Sequence, residues 1–309
     1  MIESRGLGWL PDVPSIKDYT EVHPKVAPML AQTRLAYRAA SPGASSGARG
    51  RTAGAAAATA AAPALAATVD LRAYFSPIED QGHLGSCTAN AAVGLIEYME
   101  KRAMGRYLDA SRLFVYKTTR DLLGWTGDTG AYLRSVMEAI TLFGAPPEQY
   151  WPYDGAPPAA NTHFDVEPTA FCYAFGANFQ SIRYLRLDPP TTTPLQVLAN
   201  VKAYLAAGFP SMFGFPVYTE FDNPTPTGDV AYPSPTSHLR GGHAIDAVGY
   251  DDNRMIGSDK GALLVRNSWG TGWALAGFGW LSYRYVTEGL AQDWWTVLKQ
   301  EWVDTGVFA

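Results

Sequence analysis

An α+β architecture is what this sequence predicts, on three observations. Segments with apolar residues at helical spacing come first, short aromatic and β-branched runs bounded by Gly, Pro and Asp come later, and the two kinds do not alternate. With 47% hydrophobic and 13% aromatic residues, the 309-residue chain can bury one large core or two small ones. The balance of 24 basic against 29 acidic residues, a net charge of -5 with no basic stripe, excludes a binder of phosphate backbones, so no nucleic acid partner is expected.

Along the chain, residues 1–40 read as an N-terminal extension. Its aromatic and apolar positions, Trp9, Leu10, Pro11 and Tyr19, look built to dock on a surface. Residues 41–67 are an Ala/Gly/Ser-rich linker whose bulky apolar surface is too small to offset the entropy of ordering. The tract Ala53 to Ala67 is interrupted by Pro63 and is read as part of that linker, not as a secretory h-region. No charged-then-apolar leader opens the sequence and no apolar run is long enough to span a bilayer, so no membrane partner is expected. A cytoplasmic location and export without a Sec signal peptide both fit.

Residues 68–309 form the globular domain. Ala89, Ala92, Val93, Ile96 and Met99 recur at helical spacing, which puts Cys87 in the first turn of a helix. Leu133, Val136, Met137 and Ile140 make a second helix, stopped at Gly144. In the third, Thr193 caps, Pro194 takes the first position and Gly208 follows the end. Strands are expected at 209–217, 244–250, 263–266 and 277–283. Two cysteines cannot make a disulfide framework; Cys172 reads as a buried small hydrophobe.

Cys87 differs, because unpaired N–H groups at a helix start favour thiolate over thiol. Four blocks around it fall in a telling order: Gln81-Gly82, Gly85-Ser86-Cys87, His243 ahead of Val248-Gly249-Tyr250, and Asn267-Ser268-Trp269-Gly270. At these residues the chain resembles the papain-like cysteine peptidases, from about residue 69 to about 295. The resemblance implies a two-lobed fold, a helical lobe and an antiparallel, barrel-like β lobe with the cleft between them. It also implies roles: Cys87 as nucleophile, His243 as its imidazolium partner, Asn267 orienting His243, and Gln81 with the Cys87 N–H as the oxyanion hole. By the same likeness Gly130 forms the wall that pairs with an extended substrate, Phe213 lines the main side-chain pocket, and Gly85 and Trp269 are substrate-binding as well, with Trp269 also shielding the His243–Asn267 contact. Three positions depart from the family: Leu84 where many relatives have a structural cysteine, Thr88 where an aromatic is common, and Gly242 where many plant enzymes have Asp.

The expected activity is therefore a cysteine-type endopeptidase, with polypeptide as substrate and an ionised Cys87 at neutral pH. Residues 1–40 are short for the family's prosegment, yet Trp9, Leu10, Pro11 and Tyr19 could reach the cleft and autoinhibit a zymogen. A monomer is expected. Two other readings stand beside this one: a peptide-binding module with a dormant thiol, and a thiol amidase or acyl transferase acting on a non-peptide substrate. No His-Glu-x-x-His, Cys-x-x-Cys or phosphate-binding Gly-Lys-Ser/Thr occurs, so neither metal nor cofactor is inferred. Ala, Gly, Pro and Arg usage suggests a GC-rich bacterial source.

Overall fold

The computed structural model describes residues 5–35, 64–158, 160, 163–176 and 182–309. The expected linker lies outside the described residues from 41 to 63. Ala66 and Ala67 already belong to the domain, since their carbonyls accept from Tyr250 Oη (2.8 Å) and the Asp252 N–H (2.9 Å).

Six helices longer than a bare turn or placed in the extension organise the described chain: α1 (Ala27–Leu30), α2 (Cys87–Met104), α3 (Arg112–Leu122), α4 (Leu133–Phe143), α5 (Ala170–Gly176) and α6 (Pro194–Ala207). Every residue of α2 from Cys87 to Met99 is buried, because the helix packs on α3 and α4 on one side and on the sheet on the other. α6 begins and ends where its sequence predicts. Thr193 and Gln196 form a reciprocal capping box, Pro194 leads the first turn, and Gly208 takes a left-handed φ of 91° at the end.

The strands are β1 (Thr68–Asp70), β2 (Arg183–Arg186), β3 (Ser211–Tyr218), β4 (Asp229–Val230), β5 (Leu239–Ile256), β6 (Asp259–Arg266), β7 (Phe278–Ser282) and β8 (Gln292–Leu298). They form one sheet in the order β2-β8-β3-β5-β6-β7-β4, with β1 on β5; every pairing is antiparallel except β4 with β7. Helices early, strands late and a mostly antiparallel sheet make this the α+β, two-lobed architecture expected. β5 is much longer than the apolar run 244–250, because it begins at Leu239 and carries the polar Gly241-Gly242-His243 stretch within its pairing to β3.

The extension packs on the body along its described length. Val26, Leu30 and Leu35 are buried, and the Arg34 N–H donates to the Phe308 carbonyl at 2.8 Å near the C-terminus. Among the described residues no helix is long and apolar enough to cross a membrane, and no group of three or more His, Cys, Asp and Glu is arranged to hold a metal.

Candidate active site

Three separate stretches converge at the start of α2. Cys87 is the first helical residue, so free N–H groups surround its sulfur; the Thr88 N–H is one and the Ala244 N–H, next to His243 on β5, is another. His243 pairs with Phe215 across β3 and is fully buried. Its Nε2–H donates to Asn267 Oδ1 at 2.8 Å, which leaves Nδ1 as the acceptor nitrogen with no hydrogen-bond partner. Asn267 follows the end of β6, and its Oδ1 also accepts the Ser268 N–H at 2.8 Å, which locks the amide. The Trp269 ring lies 4.8 Å from the His243 ring and is almost wholly buried, so the imidazole–amide contact is kept from water.

Gln81 is buried and fixed from both ends. Its Oε1 accepts from Ser268 Oγ at 2.6 Å, and its Nε2 donates to the carbonyls of Leu84 (2.8 Å) and Gly6 (3.0 Å). The Gly6 contact comes from the extension, which crosses the site in extended form. Gly8 and Trp9 N–H groups donate to the Gly242 carbonyl at 2.9 and 3.1 Å, Ala131 N–H donates to the Gly8 carbonyl at 2.8 Å, and Leu10 N–H to the Ala131 carbonyl at 3.1 Å. The resulting bridge between Trp9 and Ala131 is parallel. Residues 6–10 therefore span from the helical lobe to β5 directly over Cys87, whose sulfur also faces the N–H groups of Gly8 and Trp9.

That cover sets the protonation of the pair. Burial pushes the Cys87 thiol up to about 12, more than the four backbone N–H groups around it can offset. Burial likewise holds His243 down at about 4, against the Asn267 hydrogen bond that favours its charged form. Burial thus works against the ionised thiol expected at neutral pH: beneath the extension, desolvation outweighs the helix-start donors.

Other site positions sort as follows. Gly130 has φ +74°, and a Cβ there would lie 2.2 Å from the Gly8 carbonyl oxygen, so the extension runs close against it; the pairing to the extension is made one residue on, by Ala131. A Cβ on Gly85 would lie 2.7 Å from the Leu7 carbonyl oxygen. Phe213 does not join the site. Its ring stacks on Trp294 at 4.1 Å in the interior, and the opposite face of β3 is presented by Gly214, which meets Trp9.

Sequence reasoning missed Asp128. Its carboxylate accepts the Gly85 N–H at 2.9 and 3.1 Å and the Tyr116 hydroxyl at 2.5 Å, while Tyr116 Oη accepts the Gly130 N–H at 3.1 Å. One acid thereby ties the loop before Cys87, which has Leu84 where many relatives have a structural cysteine, to the Gly130 wall. An acid inside Gly127-Asp128-Thr129-Gly130, facing a loop that lacks that cysteine, was the available signal.

A sequence model of the papain family of cysteine proteases matches residues 65–295. The chain belongs to that family and is a cysteine peptidase. An uncharacterised peptidase C1-like protein of Acanthamoeba polyphaga mimivirus is 36% identical over 224 residues, 71% of this chain and 68% of that one. Cathepsin K of Gallus gallus is 29% identical over 220 residues, of which this chain spans 57% of the relative's length. Among solved structures, xylellain, a cysteine protease from Xylella fastidiosa, superposes with a TM-score of 0.70 at 28% identity, covering 96% of this chain and 97% of that one.

Proposed function

We propose that the chain is an endopeptidase in which Cys87 attacks the scissile carbonyl, and that residues 5–12 of its extension hold it inactive. In the open state the thiol gives its proton to His243 Nδ1 and the sulfur bonds to the carbonyl carbon. The oxyanion is received by Gln81 Nε2 and the Cys87 N–H. His243 then protonates the leaving amine, the acyl–sulfur bond forms a thioester, and water, deprotonated by the same imidazole, releases the acid. Asn267 keeps the ring in the tautomer with hydrogen on Nε2, so that Nδ1 faces the thiol chemistry throughout.

The observation that carries the reading is the Gln81 amide: held by Ser268 and by the Leu84 carbonyl, it has its second N–H on a peptide carbonyl, that of Gly6, in the segment that covers the buried thiol. A donor so placed for one peptide carbonyl suits the oxyanion of another. The full-length protein should react slowly with an epoxysuccinyl inhibitor at Cys87, located by mass spectrometry, and faster once the extension is loosened by mutation. Labelling with no digestion of a peptide library would favour amidase or acyl transfer chemistry. Absence of labelling in the loosened protein would favour the dormant module, the reading to which the covered thiol lends itself.

A further inference from the structure

Residues 5–35 are joined to the body by two halves of different chemistry, and the first half, residues 5–19, meets mainly polar groups. Its N–H groups donate to the carbonyls of Gly82, Gly242 and Ala131, its Gly6 carbonyl takes the Gln81 amide, and the Cys87 thiol lies beneath it. Arg134 fastens its far end through the Asp12 carboxylate, the Val13 carbonyl at 2.8 Å and the Asp18 carboxylate at 2.8 Å, and the Arg186 N–H donates to the Tyr19 carbonyl at 2.8 Å. Its other apolar residues turn outward: Val13 is 77% and Ile16 100% exposed.

The second half, residues 26–35, is held by apolar burial. Val26, Met29, Leu30 and Leu35 are at most 6% exposed and belong to the same core as Trp302, Val303 and Phe308. Phe308 stacks on Phe209 at 4.6 Å, and Arg34 ties this half to it, the N–H donating to the Phe308 carbonyl at 2.8 Å and Nε to the Ala309 carbonyl at 2.9 Å. Between the halves, residues 20–25 turn on themselves. The His23 N–H donates to the Thr20 carbonyl at 3.0 Å, the Val26 N–H to the His23 carbonyl at 2.8 Å, and Val22 stands 81% exposed.

These chemistries decide which half can part from the body. Water replaces the partner of a carbonyl, amide or carboxylate that is uncovered, so most of the polar contacts of residues 5–19 are exchanged and not simply lost. Their departure also relieves the burial that disfavours the charged forms of Cys87 and His243. Four aliphatic side chains in residues 26–35 receive no such replacement, whereas Trp9 is the one large apolar side chain fully buried in the first half. We infer that the extension is a hinged strap and not a removable piece: residues 5–19 lift from the site and close again about the turn at 20–25, while residues 26–35 remain part of the core. The inference rests on the reading above that the covered site is the working one, and concerns how that site is uncovered. Uncovering then needs no cut in the chain, and the strap stays at hand to close.

Two measurements on the full-length protein test this, and neither needs turnover. Native-state hydrogen exchange should resolve two openings. The Gly8, Trp9, Leu10 and Arg186 amides should share the easier one and quicken together by about 30-fold in Arg134→Met, while the Leu30 and Arg34 amides change by less than about threefold. Exchange of both groups through one opening, or an equal rise in both, overturns the hinge. The second measurement is iodoacetamide labelling of Cys87 in a Cys172→Ser background. Leu30→Ala cuts a cavity into the core at the fixed half, so it should lower Tm by about 4–15 °C. Labelling well below the melt should nevertheless stay within about threefold of the parent, and a larger rise shows that both halves leave together and overturns the hinge. Should Leu30→Ala fail to fold, the smaller deletion Val26→Ala decides by the same criterion. Two openings in an Arg134→Met protein that neither digests peptides nor takes an epoxysuccinyl label would remove the peptidase reading and leave the hinge. A single opening in a protein that does both would remove the hinge alone.

Discussion

Arg134 on α4 grips the extension through two acids, and replacing it should open the site. The guanidinium pairs with Asp12 and, at 2.8 Å, with Asp18. The Asp12 pair is about a fifth exposed on each side, the kind of contact worth about 0.5–1 kcal/mol. Asp18 is 2% exposed, and stripping a buried carboxylate of its partner costs about 3–5 kcal/mol where no other cation is near. Here Arg186 Nη1 lies 3.6 Å away, which reduces that loss to about 1–2 kcal/mol. Together the closed state of Arg134→Met loses about 2 kcal/mol relative to the open one, a rise of about 30-fold in open population. Methionine puts an apolar chain of similar length in place of the guanidinium that lies 5.8 Å from the centre of the Trp295 ring, so the body should hold its fold. The assay is the iodoacetamide reaction of Cys87 in a Cys172→Ser background, followed by mass spectrometry at pH 7. For a site reached only by opening, the labelling rate follows the open fraction, so a rise of about 30-fold is expected. A change under about threefold with an unaltered melt would refute the claim that these ion pairs hold the cover in place.

In the Arg134→Met background, Gln81→Ala should lower kcat by about 10²- to 10³-fold, the usual effect of one lost oxyanion donor; unchanged turnover would return Gln81 to scaffolding. Asp128→Ala strands two buried donors, so it should lower Tm by about 2–8 °C and raise KM more than it lowers kcat, because the Gly130 wall loosens along with the Gly85 loop; equal KM in the variant would confine Asp128 to stability. In the wild-type protein the His243 ring, held at about 4 by burial, should stay neutral from pH 8 down to pH 5 by NMR and shift its midpoint upward in Arg134→Met; a wild-type midpoint near the ordinary value would contradict a dry site. Thr193→Ala should cost about 0.5–2 kcal/mol of stability with activity unchanged, since that cap serves α6 alone.

What could be read in the sequence was whatever a single residue type enforces locally. Cys87, His243 and Asn267, the proposed catalytic residues, stood out because thiol chemistry tolerates few substitutes, and α6 was legible because Thr193-Pro194 and Gly208 write its ends. α3 was not, although Ser111 caps it by accepting the Phe114 N–H at 3.1 Å. Its Arg112, Lys117 and Arg120 are buried, so its inward face reads as polar; Arg112 and Arg120 are carried there by acids far away in sequence, Glu79 at 2.9 Å and Glu148 at 3.0 Å for Arg112 and Asp165 for Arg120, while Lys117 pairs with Asp121 one turn on and with Glu167 at 3.4 Å. β2, Arg183–Arg186, hid for the same reason, its last arginine being buried among Asp18, Asp188 and Asp293. Phe213 illustrates the other limit. Residue type suggested an aromatic pocket wall there, but a one-residue shift along a strand exchanges faces, and it is Gly214, not Phe213, that meets Trp9.

The covered site also explains why the thiol's chemistry was misjudged from its surroundings in sequence. A helix start and a nearby histidine lower a thiol's pKa only when the resulting charges are solvated or paired. Residues 6–10 remove the solvent, and although they bring the Gly8 and Trp9 N–H groups to the sulfur, these dipoles do not repay the burial that raises Cys87 to about 12. The same burial depresses His243, so desolvation favours the neutral pair over the ion pair. On the proposed reading, obstruction and deactivation are one physical event: whatever lifts the extension would readmit water, lower the thiol, raise the imidazole and free the Gln81 amide from the Gly6 carbonyl. A variant that admits iodoacetamide to Cys87 while leaving the wild-type pH dependence of labelling would separate these two effects and show that desolvation is not what silences the thiol.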